Sequence, residues 1–234
     1  MEKRSILNCP TEFDRTDLLH LLSLSTGRAI ATQLAMGNIV IGNNGWNVDI
    51  RNRRISFGDK TYNMGIIGTE GYGDGTWLWG WANTQSNIPE IATAPSRRAK
   101  KLLPDVLEFT AEKFMLDELH TGHNLSMVTI GVSEENLCYY RCPYNGGALF
   151  VTVEGLPDEV FAPLSVEELA KQYLNIISTF YCDHRLLAAG FLYQNGNEFV
   201  EENGMITGSF GDQKLYFSFE EADGLSRVAN VQIK

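Results

Sequence analysis

The hydrophobic period of this chain changes at Trp46, and the extended segments that follow are joined by very short links. Before that point Leu18, Leu21, Leu22, Ile30 and Leu34 recur at three- and four-residue steps. They predict helix over residues 12–36, as one helix or two, with a cap in residues 11–14 and a stop at Gly37 and the glycines at 42 and 45. From Trp46 the period is two. Trp46, Val48 and Ile50 alternate with Asn47, Asp49 and Arg51, the signature of a half-buried strand. Turn residues at 52–54, 58–59 and 71–75 separate three more predicted strands, at 55–57, 61–69 and 76–83. A parallel crossover needs a dozen or more residues, and no link here has them. The segment must be an antiparallel meander.

The rest of the chain keeps its elements in groups. Residues 89–119 read as helical, broken by Pro104, with a second helix starting near Asp105 and carrying Phe109, Phe114 and Leu116. Strands are predicted at 126–132, 137–141 and 148–153. The capping box Ser165-Val166-Glu167-Glu168 opens one helix and Asp183 caps the next. The chain closes on strands at 198–201, 205–210, 214–219 and 228–233. Grouped rather than alternating strands and helices predict an α+β fold, with antiparallel sheets and helices packed on them. Residues 1–234 read as a single domain, with two sheet-plus-helix halves split near residue 120 as the alternative.

Charge and cysteine usage narrow the partners. Lys and Arg number 19 against 29 Asp and Glu, a net charge of −10. No basic surplus exists to displace counterions from a phosphate backbone, so a nucleic-acid partner is not expected. No apolar leader follows the N-terminal charge cluster, and no window has the roughly 18 apolar residues of a membrane span. A chain of this length builds its core without staples, so the four cysteines read as reduced thiols of a cytoplasmic protein.

Three of the four tryptophans fall in Trp77-Leu78-Trp79-Gly80-Trp81-Ala82-Asn83. On a strand Trp77, Trp79 and Trp81 share one face, and the small Gly80 and Ala82 on the other admit a helix backbone. The face is either core or an aromatic platform for a sugar, base or peptide. Core is favoured, because three exposed indoles would make a large apolar patch. The glycine-rich hairpin and this motif, followed by Ile88-Pro89-Glu90, resemble an uncharacterised bacterial family of domains of unknown function with a Trp-x-Trp-x-Trp-Ala-Asn signature. Tyr139-Tyr140-Arg141-Cys142-Pro143-Tyr144-Asn145-Gly146-Gly147-Ala148-Leu149-Phe150 and Leu215-Tyr216-Phe217-Ser218-Phe219 resemble its other hallmarks, so the resemblance spans roughly residues 15–233. It brings no activity, cofactor or catalytic residue to carry over.

Constellations for chemistry are weak. Phosphate loops need a helix after the glycines. Here a strand follows Gly68-x-x-Gly71-x-Gly73-x-Gly75, and Glu70 and Asp74 would repel phosphate. Cys138 and Cys142 on one strand lie about 13 Å apart, too far to share a zinc. His120 and His123 could share a helical face, but Gly122 is predicted to end that helix. In Cys182-Asp183-His184 adjacency gives poor catalytic geometry, and Asp183 reads better as a helix cap. The basic residues 97–101 read as a solvated helix face.

No catalytic residue, metal site or cofactor is expected. The leading expectation is a non-enzymatic binding or interaction protein whose partner is another protein or a small molecule. The alternative is a small-ligand-binding or enzymatic domain with a pocket beside the tryptophan strand, using Trp77, Trp79, Trp81, Asn83, Tyr140 and Arg141.

Overall fold

The computed structural model describes residues 3–234; the first two residues of the N-terminal charge cluster lie outside the described residues. Among the described residues the chain forms six α-helices and two antiparallel sheets, an α+β architecture.

Helix α1, Leu18–Met36, is capped by Asp17 rather than by residues 11–14. The Asp17 carboxylate accepts from the amides of Leu19 and His20 at 2.7 and 3.1 Å. Leu21, Leu22 and Leu24 are buried, and so are Ser23, Ser25, Thr26 and Thr32. Each of those hydroxyls donates to a carbonyl one turn back, which lets polar residues sit inside the core. The helix runs on through Gly37 as a turn of π-helix, Gly37–Ile41, and stops at Gly42 with φ +55°.

The meander is present. Strands β1, Trp46–Asp49, β2, Arg54–Phe57, β3, Lys60–Gly71, and β4, Thr76–Trp79, follow one another through tight turns. β3 is the hub. Its first residues pair with β2 and its last four with β4, while its other edge pairs from Asn63 to Gly71 with β7, Gly147–Glu154. β6, Cys138–Tyr144, extends the sheet beyond β7.

Four expectations are corrected between residues 80 and 132. Gly80–Ala82 forms a 3-10 turn, so β4 ends at Trp79 and Trp81 leaves the strand. The first predicted helix of residues 89–119 is α2, Ala94–Leu102. The second shrinks to α3, Leu107–Thr110, and its remainder becomes β5, Lys113–Met115, which pairs with β4 through Trp77 and Phe114. Gly122 opens a helix instead of ending one, because Thr121 caps it and Glu70 accepts its amide at 2.9 Å. That helix, α4, Gly122–Val132, replaces the strand predicted at 126–132. Its residues from Leu125 to Val132 are all buried, and a helix buried on every side has no polar face to reveal its period.

Helices α5, Val166–Ile177, and α6, His184–Asn195, begin at the Ser165 capping box and at Asp183 as expected. α6 crosses α1 so closely that a Cβ on Gly190 would lie 2.2 Å from the Leu24 carbonyl oxygen. The second sheet, β8 to β11, is a meander of Phe199–Glu202, Met205–Phe210, Gln213–Ala222 and Leu225–Ile233. One core cluster takes Trp77 and Phe150 from the first sheet, Leu21 and Leu187 from the helices and Leu215 and Phe217 from the second sheet. A second cluster, with Phe57, Ile66 and Val151, lies on the opposite face of the first sheet.

Candidate ligand-binding cleft

The tryptophan strand divides its side chains between these two faces. Trp77 and Trp79 point toward the helices and are 0% exposed. Their rings meet edge to face at 5.3 Å, with Phe150 5.5 Å from Trp77 and Phe109 4.9 Å from Trp79. Trp79 Nε1 donates to the Glu108 carbonyl at 2.7 Å, whereas Trp77 Nε1 has no partner among the described residues. Gly68 makes room for Trp77: a Cβ there would come 2.3 Å from its ring. Both indoles are core here, closed to solvent. Trp81, on the turn beyond, is half-buried with the Lys100 ammonium 3.4 Å above its ring. Lys100 is therefore not simply solvated. In the same basic run Arg98 bridges to Glu135 at 2.6 Å.

Leu78 faces the other way, into a cleft of about 620 Å³. One wall is the β1 edge, with Trp46, Val48 and Ile50 in line because alternate residues share a face. The floor is Ile66, Leu78 and Leu149, and the far wall is Cys142 and Tyr144 of β6. The β3–β7 register shifts between Ile66 and Gly68, which lets Ile66 and Thr69, three apart, both reach the cleft. Over the mouth lies the loop after the 3-10 turn, ordered where Asn83 Oδ1 accepts from the Ser86 amide at 3.2 Å.

Of the residues named from sequence, Asn83 lines the cleft. Tyr140 stands beside it, edge-on to Trp46 at 6.1 Å and to Phe57 at 5.0 Å, and so props the β1 wall against β6. Arg141 is on the opposite face of β6, 3.6 Å from the Glu70 carboxylate and donating to the Tyr72 hydroxyl. Asn83 lines the cleft and Tyr140 packs behind its Trp46 wall, whereas Trp77, Trp79, Trp81 and Arg141 are not among the lining residues. Trp46 and Leu78 were missed as site residues. Their signal was present: three apolar residues in line on β1, and a leucine on the reverse face of the tryptophans.

Among the described residues no Asp, Glu, Lys, Arg or His lines the cleft. Burial pushes the Cys142 thiol up to about 12, so it stays a neutral wall group rather than a nucleophile. The cleft offers apolar surface plus the uncharged polar groups of Thr69, Asn83, Gln85 and Ser86.

The other constellations resolve into local structure. The glycine-rich loop is the β3–β4 hairpin, with Asp74 bonded to Thr76 and Lys113 at 2.8 Å each. His120 lies between Asp117 and Glu108, and His123 Nδ1 meets the Tyr139 hydroxyl at 3.0 Å. Cys182 is buried, and Asp183 accepts the amides of Leu186 and Ser226 at 2.8 Å each. The neighbouring His184 Nδ1 accepts from the Val228 amide at 3.1 Å, so thiol and imidazole do not pair.

A model for a family of unknown function, DUF6882, matches residues 20–156 of the 234. The chain belongs to the DUF6882 family. The matched segment runs from α1 to just past β7, so it contains every residue that lines the cleft, while α5, α6 and the second sheet lie beyond it. The tryptophan strand and the 139–150 segment fall inside the DUF6882 match; the 215–219 segment falls outside it. No curated protein and no solved structure matches the chain. No helix is long and apolar enough to cross a membrane among the described residues.

Proposed function

We propose that this DUF6882 protein is a non-enzymatic binding protein of the bacterial cytoplasm. It holds an uncharged, mainly apolar small molecule in the cleft behind the tryptophan strand. The observation that carries this reading is the cleft itself. Its volume of about 620 Å³ lies inside the range of small-molecule sites, and its lining of apolar residues with a few uncharged polar groups is their usual composition. A charged ligand would lose its hydration there without gaining a counter-charge. Four free, buried cysteines suit a reducing compartment, and the bacterial setting rests on the sequence resemblance. A core cluster shared by both sheets supports one unit rather than two halves.

Trp46 makes the reading testable, since it is the tryptophan in the cleft wall. A titration with the uncharged probe N-phenyl-1-naphthylamine is expected to quench Trp46 emission and to raise the melting temperature. Saturation at 100 times Kd adds about 2.7 kcal/mol. Leu78→Trp, which fills the floor, should abolish both effects while leaving the circular dichroism spectrum intact. Binding that survives in a folded Leu78→Trp variant would place the probe elsewhere and sink the proposal.

A further inference from the structure

Tyr139 and Tyr140 are neighbours on β6 and point to opposite faces, and behind Tyr139 lies a second cavity of about 720 Å³. α1, α4, β6 and the turn after α5 enclose it. Its floor is Leu22 and Met127, both buried. Three aromatic side chains line it: Tyr139, itself buried, Phe180, and Tyr181, which is 66% exposed. His123 enters from the first turn of α4, its Nδ1 held by the Tyr139 hydroxyl at 3.0 Å. Burial holds the His123 imidazole below its usual pKa, against the pull of Glu70 and with the push of Arg141. Burial thus disfavours the charged form of this imidazole. Glu118 contributes a carboxylate, and no Lys or Arg lines the cavity among the described residues.

We propose that this cavity binds an organic ammonium ion, with the apolar body on Leu22 and Met127 and the cationic head near Glu118 and the aromatic rings. Aromatic faces attract cations by their quadrupole, and a carboxylate supplies the counter-charge. Arg227 already lies over one lining ring, 5.3 Å from the Tyr181 centroid, which shows that this ring accepts a cation; among the described lining residues themselves Glu118 is the only carboxylate and would oppose an anion. The net charge of −10 raises the local concentration of cations around the molecule. The site differs in kind from the uncharged cleft across the sheet, and does not depend on it.

The test compares three ligands of similar size by amide NMR titration of the full chain: phenethylammonium, 2-phenylethanol and phenylacetate. The cation should bind about fivefold more tightly than the alcohol, with shifts centred on His123 and Tyr181, and phenylacetate should bind least. Glu118→Gln, on the exposed rim, should weaken the cation about threefold and leave the alcohol unchanged. Thr179→Trp should block all three ligands, and Leu78→Trp should block none. Equal affinities for the three ligands, no binding of the cation at millimolar concentration, or a cation affinity indifferent to Glu118→Gln would each overturn the proposal.

Discussion

The amide of Ser226 donates to the Asp183 carboxylate at 2.8 Å, pinning the last hairpin to the start of α6. The same buried carboxylate caps Leu186 at 2.8 Å. Asp183→Ala leaves both amides buried without an acceptor and should cost about 2–4 kcal/mol in urea unfolding. Asp183→Asn keeps an acceptor oxygen and should recover part of that. A loss below about 1 kcal/mol in the alanine variant would show that water replaces the carboxylate.

The two buried indoles should differ in what their N–H groups contribute. Trp79 Nε1 donates to the Glu108 carbonyl and Trp77 Nε1 donates to nothing among the described residues. Replacing either by Phe removes comparable volume, at about 1–2 kcal/mol by analogy with other large-to-small changes. Trp79→Phe also strands a carbonyl, so it should exceed Trp77→Phe by about 1 kcal/mol. The reverse order in chemical denaturation would refute the assignment.

His120 gives a pH signature. Burial opposes its charge, but hydrogen bonds to Asp117 and Glu108 outweigh that and hold the imidazole above its usual value of 6.5. A group raised on folding stabilises fully below its unfolded pKa, and the benefit fades as pH rises through the folded value. The stability difference between the native protein and His120→Gln should therefore be full in acid and shrink as pH rises past the ordinary histidine range. A constant difference across that range would contradict the ion-pair geometry.

Thiol reactivity tests the core. Burial pushes Cys9, Cys138, Cys142 and Cys182 each up to about 12. Ellman's reagent at about pH 8 should label none of them in the folded chain and all four in denaturant. A single fast-reacting thiol before unfolding would reveal a core opening that the packed structure does not contain.

The strand meander was readable because short links leave antiparallel pairing as the solution, and the caps at Ser165 and Asp183 were readable because capping is local chemistry. α4 was not. Its buried residues from Leu125 to Val132 lack the polar face on which a helical period depends. β5 was missed because Phe114 reads as a helical apolar residue until its partner Trp77 is known. The cleft was half readable. Trp46, Val48 and Ile50 declared a one-sided strand, but its facing wall is β6, almost a hundred residues further on, and sequence spacing carries no sign of that approach.

β3 pairs with β2, β4 and β7, and these partners leave the ribosome at very different times. Its residue Gly65 pairs with Thr152, so one edge of β3 waits for more than eighty further residues to leave the ribosome. In that interval an apolar strand with an open edge is a template for pairing with other chains. The nascent protein is most exposed to mispairing after β4 has docked and before β7 arrives, and chaperone capture should concentrate in that window.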